Sequence, residues 1–409
     1  MTPKDSIVFP KYKRRVGLAF AQGIPFVEKV RHGIADYASA HGGWSFSVMP
    51  EMLSPSVDWL KHARIDGALV FVVTMRDLKL VRALRRPIVN LAAHLDPSAV
   101  PSVMVDHRRI GEMAAEFLLE RGFSRLAYYG TGSLWYSQQR HAGFSATALR
   151  AGAQCQAHMA GLPQIAAAQW RDEHRALLRW LCGLKPPTGI LASMDLRASM
   201  LVDACAEAGL RVPDDIAIIG VDNDPVVCEL GSVPITSVAR NDRLVGWEAA
   251  AMLDRLMNGN PPSRMPRFVE PEQIVERKST DTFAVDDAVV AGLLAELREN
   301  LDKPFGVEWL VERSGHSRRW LELHFRQSLG RSPHEVLNWL RVSKARELLA
   351  GDTCLMLTDV AARCGFADLR RFRITFRKKM GILPRKYRDD LRRQRTKKMP
   401  GGIGMRGAG

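Results

Sequence analysis

The sequence predicts two α/β lobes followed by an all-α domain, and two observations carry this. Short β-rich runs alternate with amphipathic helical stretches over residues 15–280, and one helical pattern is written twice between residues 310 and 387. Strand, helix, strand with few-residue loops means parallel sheets covered on both faces. So long a run of such units exceeds one core and divides into two lobes, each a doubly wound parallel sheet.

The strand-like runs are residues 16–20, 44–49, 68–73, 88–91, 103–105, 126–129, 189–192, 216–221 and 236–239, with helical stretches such as 27–40, 108–120, 171–181 and 244–257 between them. The expected organisation is a two-lobed region over 13–280, a linker over 281–287, a helical domain over 288–391 and a basic tail over 392–409. The joint falls in the charged, helix-poor stretch 276–282. The tail lacks apolar periodicity and is expected to be disordered.

The duplicated pattern begins Leu310-Val311-Glu312-Arg313-Ser314-Gly315 in one copy and Val360-Ala361-Ala362-Arg363-Cys364-Gly365 in the other. From Phe325 to Gly330 to Pro333 the steps are five and three residues, and Phe376, Gly381 and Pro384 repeat them. In each copy a short helix ends at a Gly able to turn left-handed and a second helix follows at once, the helix-turn-helix arrangement. Between the copies, Ser332-Pro333-His334-Glu335 offers an N-cap, a Pro at the first helical position and a Glu at the third that closes a capping box. The helix it starts should run to about Ala350, with Gly351 just past its end, a rod of roughly 27 Å. Such a rod can hold two recognition helices about one turn of DNA apart, near 34 Å. Leu321 with Phe325, and Phe372 with Phe376, are spaced i, i+4 and face the core, leaving the opposite faces outward.

Charge separates the same two regions. Residues 282–409 hold 26 Lys/Arg against 15 Asp/Glu, a net of +11 out of +15 for the chain, whose pI is about 9.8. The excess predicts an anionic partner for the C-terminal part. Lys378, Lys379, Arg385 and Lys386 are assigned to phosphate contacts, which neutralise charge without reading sequence.

Residues 288–390 resemble the double helix-turn-helix DNA-binding domain of the AraC family, through Ala361, Cys364-Gly365-Phe366, Phe376, Gly381, Pro384 and Tyr387-Arg388. The resemblance implies double-stranded DNA as a partner, and RNA polymerase beside it. It implies base reading by Arg319, Glu322 and Leu323 in the first unit and by Leu369, Arg370, Arg373 and Ile374 in the second, with Arg318 close to the DNA backbone. Arg suits a guanine edge and Glu a cytosine amine. A solvated face or a phosphate contact is the other reading at each position, and Trp320 is assigned to packing.

Residues 13–280 resemble the LacI-type, periplasmic-binding-protein-like sugar sensor. The landmarks run in order: Val16-Gly17-Leu18-Ala19-Phe20, Val103-Met104-Val105-Asp106, Arg140 with Gly143-Phe144, Gly189-Ile190 with Asp195, and Pro213-Asp214-Asp215-Ile216 through Gly220-Val221-Asp222-Asn223. The resemblance implies a monosaccharide effector, a pentose such as xylose, control of carbohydrate-use genes by activation, and a homodimer. Ligands of such sheets sit outside the carboxyl ends of strands, in the cleft where the lobes face. Sugar hydroxyls call for carboxylates and amides, an Arg fork and a stacking plane. Gln22, Arg140, Asp195 and Asp222 fit that list, with Trp135 or Tyr136 as the plane. Asp106 is either a ligand or the cap of the helix after it. The loop Ala21-Gln22-Gly23-Ile24-Pro25-Phe26-Val27 has no carboxylate, unlike many sugar-binding relatives, which leaves a less polar or differently shaped ligand open. A sensor serving only for dimerisation is the competing reading.

Enzyme motifs are missing. No Gly-x-Gly-x-x-Gly follows the first strand, and the chain has no Gly-x-x-x-x-Gly-Lys-Ser/Thr loop and no Gly-x-Ser-x-Gly elbow. Six cysteines show no Cys-x-x-Cys pair and no His at zinc spacing, so reduced thiols are expected, with neither metal, cofactor nor disulfide. The longest apolar run, residues 68–73, is too short to span a bilayer, and a cytoplasmic protein is expected.

Overall fold

The computed structural model describes residues 14–20, 24–48, 57–161, 167–260, 266–285, 287–351 and 355–389. Gln22 and the basic tail lie outside them. The chain divides into two compact units, Met1–Thr282 and Phe283–Gly409.

The first unit opens with β1 (Arg14–Ala19), α1 (Pro25–His41), β2 (Trp44–Val48), β3 (Gly67–Val70), α2 (Met75–Ala83), β4 (Ile88–Asn90) and β5 (Val103–Val105). A second lobe follows: α3 (His107–Leu119), β6 (Arg125–Thr131), α4 (Trp135–Arg150), β7 (Gln154–Ala160), α5 (Ala167–Cys182), β8 (Thr188–Ala192), α6 (Asp195–Glu207), β9 (Ile216–Val221), α7 (Pro225–Leu230) and β10 (Thr236–Val238). The chain then returns to the first lobe as α8 (Asp242–Met257), packed on α1, β3, β4 and β5, and as β11 (Arg267–Val269). It ends in the second lobe with β12 (Ile274–Val275).

The first sheet has the order β2-β1-β3-β4, with β5 and β11 pairing beside it. The second has the order β12-β10-β9-β8-β6-β7. All described pairings are parallel save β10 with β12, so the second sheet closes with an antiparallel edge that the parallel-sheet expectation lacks. The expectation also misses β7, whose sequence Gln-Cys-Gln-Ala-His-Met-Ala is mostly exposed at an edge and shows no apolar run. Central β8 and β9 are buried at every residue, the continuous apolar signature of a sheet covered on both faces.

The chain crosses between the lobes three times, at Asp106, at Ala239–Asn241 and at residues 270–273. The crossings are tied together: Asp106 N–H donates to the Val269 carbonyl at 2.8 Å, Ala239 N–H to Gln273 at 2.8 Å and Glu272 N–H to Ala239 at 3.0 Å. In the second lobe α3 and α4 touch backbone to backbone. A Cβ on Gly111 would land on the Arg140 carbonyl oxygen, and one on Gly143 on that of Arg108. The glycine pair thus fixes α4 against α3.

Residues 276–282, expected as a charged joint, are sewn to the sheet instead. The Ser279 hydroxyl donates to the Ile218 carbonyl at 2.6 Å and accepts from Thr236 N–H at 2.9 Å, and the Thr236 and Thr280 hydroxyls lie 2.8 Å apart. Three small hydroxyl side chains give no apolar periodicity to read.

The second unit comprises α9 (Ala288–Glu299), α10 (Val307–Ser314), α11 (Arg318–Leu329), α12 (Pro333–Gly351), α13 (Leu357–Arg363) and α14 (Leu369–Met380), with residues 384–389 also helical. Of the stretch read as a linker, Phe283 and Ala284 are buried in this unit and Asp287 caps α9. The capping box forms as its spacing predicts: Ser332 N–H donates to Glu335 Oε2 at 2.9 Å and Glu335 N–H to Ser332 Oγ at 3.3 Å. Gly315, Gly330, Gly365 and Gly381 all have φ between 63° and 72°. Gly351 is the last residue of α12 and not the first beyond it, a one-residue difference at a fraying end.

Two apolar cores flank α12. Leu321 and Phe325 are buried in the first with Val336, Leu337 and Leu340. Phe372 and Phe376 are buried in the second with Val342, Ala345 and Leu349. One helix therefore gives its N-terminal half to one core and its C-terminal half to the other.

Candidate functional site

The site in the first unit is built around Arg140, whose side chain is 1% exposed in the second turn of α4. Its Nε donates to His107 Nδ1 at 3.3 Å, its Nη1 donates to the Ser193 carbonyl, and its Nη2 lies 3.7 Å from Asp222 Oδ1. The guanidinium carbon lies 5.0 Å from the Tyr136 ring centroid. Burial pushes Arg140 below the usual arginine range, while the nearby Asp222 carboxylate pushes it back up. Burial, followed by the charges of Arg140 and Arg240, holds His107 well below its ordinary value. It is therefore neutral at pH 7, with Nδ1 as acceptor and the proton on Nε2.

Asp222 stands just past β9 with φ +109°, and Asn223 follows at +48°, two consecutive side chains in a region that favours glycine. A small network holds this turn. The Ser237 hydroxyl accepts from Asn223 N–H at 3.0 Å and donates to Asp195 Oδ1 at 2.6 Å, while Asp224 N–H donates to Asp195 Oδ2 at 2.8 Å. Asp195 is 2% exposed, and burial, then the charge of Asp222, pushes it up to about 7. Both of its oxygens are engaged inside the second lobe, so it supports the strained turn that carries Asp222.

Arg240 lies in a lobe crossing and joins the two sides. Its Nη1 donates to Asp222 Oδ1 of the second lobe at 3.2 Å, and its Nη2 lies 2.8 Å from Asp242 Oδ1, at the start of α8 in the first. Its guanidinium carbon is 4.6 Å from the ring centroid of Phe26 on α1, and Lys29 of the same helix donates to the Asp222 carbonyl at 3.5 Å. Burial opposes the Arg240 charge, but Asp242 and Asp222 outweigh it and raise its pKa. At the start of α4, Trp135 and Tyr136 N–H donate to the His94 and Ala93 carbonyls of the first lobe at 3.0 and 2.9 Å. The Trp135 ring lies parallel to that of Phe268 at 6.3 Å.

Of the residues named from sequence, Arg140, Asp222, Tyr136 and Trp135 meet at the lobe boundary, Asp195 lies beneath Asp222, and Gln22 is outside the described residues. Asp106 caps α3, accepting from Arg109 N–H at 2.9 Å. Sequence reading missed His107, Arg240, Asp242, Phe26 and Lys29. The available signal was Arg240 two residues after a wholly buried strand, a charge placed where the chain must pass between lobes.

In the second unit Ser317 caps α11 and Asp368 caps α14, accepting from Trp320 and Arg371 N–H at 3.2 and 2.7 Å. Arg319, Arg370, Arg373, Lys378 and Lys379 are exposed, as are Leu323 at 53% and Ile374 at 59%. Glu322 is partly exposed, 3.8 Å from Arg326, and Arg318 pairs with Glu308 at 3.1 Å. Leu369 is half-buried against the second core, which sets it apart from the other outward positions. Trp320 packs on the first core between the rings of His316 and His324, at 3.9 and 3.7 Å. Among the described residues no group of three His, Cys, Asp or Glu could hold a metal ion, and no helix is long and apolar enough to cross a membrane.

A two-lobed sensor fold with a buried arginine and aspartate at its crossings, followed by twin helix-turn-helix units, defines a DNA-binding regulator of transcription. Residues 115–280 match the periplasmic binding protein-like domain and residues 310–390 the helix-turn-helix domain. The chain therefore joins a periplasmic-binding-protein-like domain to an AraC-type helix-turn-helix domain. It is 28% identical over 391 residues to the xylose operon regulatory protein of Escherichia coli K12, covering 92% of this chain and 97% of that one. It is 25% identical to the Haemophilus influenzae protein of the same name over 91% and 98%. A solved xylose-binding transcription activator superposes with a TM-score of 0.64 at 26% identity, covering 92% of this chain and 98% of that one.

Proposed function

We propose that this chain is a cytoplasmic transcription activator of carbohydrate-use genes, controlled by a small sugar of pentose size, such as xylose, held between the lobes of its sensor. The observation that carries the reading is the Arg140–Asp222–Arg240–Asp242 chain, which runs from the second lobe through a crossing to the first. A ligand that bridges Arg140 and Asp222 on one side and the α1 face on the other would favour the closed lobes. It moves the equilibrium only by its differential affinity for that form. Trp135 or Tyr136 supplies the stacking plane. In a homodimer on a repeated site, Arg319, Glu322 and Leu323 and then Arg370, Arg373 and Ile374 read base edges, Arg318, Lys378 and Lys379 hold phosphates, and RNA polymerase binds alongside.

Fluorescence anisotropy of promoter DNA with the full-length protein, with and without D-xylose, tests this. Sugar and DNA affinities are linked reciprocally, with a coupling of about 1–3 kcal/mol, roughly 5–150-fold. Equal DNA affinity with and without every pentose tested would overturn the reading.

A further inference from the structure

The segment that leaves the first unit is held by an arginine that also reaches the strained turn beside Arg140. Arg277 N–H donates to Thr236 Oγ1 at 2.8 Å, and that hydroxyl donates back to the Arg277 carbonyl at 3.0 Å, so the backbone alone fixes the segment to β10. The guanidinium does something further. Its Nη1 donates to the Ile235 carbonyl at 3.0 Å and its Nη2 to Asn223 Oδ1 at 2.9 Å, with Glu229 3.5 Å away. The side chain is 13% exposed, so these bonds are largely shielded from water.

Asn223 is the second residue of the Asp222–Asn223 turn, in which both residues have positive φ. Such a turn persists because its surroundings hold it, and it has the least to lose by changing arrangement when a ligand takes Asp222. Ser237 holds its backbone and Arg277 holds its side chain. Beyond Arg277 the chain has no slack. Ser279 and Thr280 are buried in the second lobe, and Phe283 is buried in the first helical core, its ring 4.4 Å from that of Trp339 on α12. Two residues separate Thr280 from Phe283, a reach of at most about 11 Å. A long Gly/Ser linker would behave as a random coil and absorb a shift of its anchor; this tether cannot.

We infer that Arg277 is a positioning residue for regulation: it carries the state of the Asp222–Asn223 turn along residues 277–283 to α12, the helix that both helix-turn-helix units share. The inference rests on the proposed sugar sensor and names the route from its ligand to the DNA-binding unit. In this role Arg277 touches neither sugar nor DNA.

Two measurements on the full-length protein separate a relay from a brace: D-xylose affinity by isothermal titration calorimetry, and promoter-DNA affinity by anisotropy with and without the sugar. The wild type should show a sugar-dependent change in DNA affinity of roughly 5–150-fold, and in Arg277→Met that change should fall below about two-fold. The variant should keep its D-xylose affinity and its sugar-free DNA affinity near the wild-type values. Gly-Ser-Gly inserted between Thr282 and Phe283 should do the same, because it slackens the tether and leaves both anchors in place. Should the melting curve of Arg277→Met show that it does not fold, Asn223→Gly removes the acceptor at the other end of the same bond, and glycine accepts the φ of +48° there. A brace would lower the melting temperature and leave the sugar-dependent change intact. Retention of the wild-type change in a folded point variant or in the insertion overturns the relay and leaves the sugar sensor standing. Loss of D-xylose binding in Arg277→Met places the residue in the pocket and overturns the relay as well. A wild type whose DNA affinity no pentose alters overturns the sensor reading itself.

Discussion

The two helix-turn-helix units share one pattern and differ in their surroundings. In the first, the turn at Gly315 stands in open space. Arg318 is tied to Glu308, Arg326 lies near Glu322, and Trp320 is held between two histidines, one of which bonds Asp287 at 2.7 Å. In the second, the turn at Gly365 abuts the carbonyl oxygens of Leu301 and Lys303 and the Nε of Arg341. No described carboxylate lies within ion-pair reach of Arg370, Arg371, Arg373, Arg377 or Lys378 on α14. Repeated residues make the two folds alike; the unrepeated ones assign different work. In the first unit Arg313, Arg318 and Arg326 lie beside carboxylates of the same unit, whereas the cations of α14 have none among the described residues, which fits the phosphate contacts proposed for them.

The largest effect tests whether the cores are equivalent. Phe325→Ala and Phe376→Ala should each cost about 3–5 kcal/mol, because both rings are wholly buried. Urea denaturation followed by circular dichroism checks this, and a large loss from one variant beside a negligible loss from the other would break the equivalence. Next comes Arg341, which donates to the Lys303 and Phe305 carbonyls at 3.0 and 2.9 Å; burial lowers its pKa to about 10. Arg341→Met leaves those carbonyls short of a charged donor, at about 1.5–3 kcal/mol in the same assay. The second turn, which rests on this loop, should loosen first in hydrogen exchange.

For DNA, Arg370→Ala should weaken a specific site by about 1–3 kcal/mol and spare random sequence, with Arg319→Ala matching it in the other groove. Lys378→Ala should weaken both DNAs alike and lower the log–log salt slope by about 0.9. Glu308→Gln releases Arg318 and should raise that slope, an effect below about 1 kcal/mol for an exposed pair. The smallest effect is on pH. The His324 contact first, and the Ser332 amide first, hold Asp287 and Glu335 below their ordinary values of 3.8 and 4.5. Their folded pKa values are depressed, so their stabilisation is complete above the unfolded values and is lost as pH falls through the lowered ones. The urea midpoint of the helical unit should therefore fall below about pH 4.5, less so in Asp287→Asn.

The helical unit was the more legible in sequence because its logic is local. Caps, left-handed glycines and i, i+4 phenylalanines are all decided within a few residues, so Ser332–Glu335 and Phe372–Phe376 fall where their spacing puts them. The sensor was legible where strands are central and apolar, and silent at its edges, where β7 is polar and β12 only two residues long. Arg140 and Asp222 stood out beside strand ends, but Arg240 acquires its meaning only when a crossing brings Asp222 and Asp242, twenty positions apart, to one guanidinium. Asp195 shows the reverse: matched by position, it is turned to structural use by Ser237, a partner 42 residues away that sequence spacing cannot pair with it.

Helix α12 gives one half of its length to each core along 19 residues, roughly 28 Å. The gap between reading heads is consequently a property of the protein, set like the jaws of a locked calliper, and the DNA must supply the match. One base pair inserted between the two contacted segments should turn one away by about a tenth of a helical turn, and among the described residues α12 has no break to absorb the error. On the proposed reading, promoters served by this chain are constrained in phase as well as in letters.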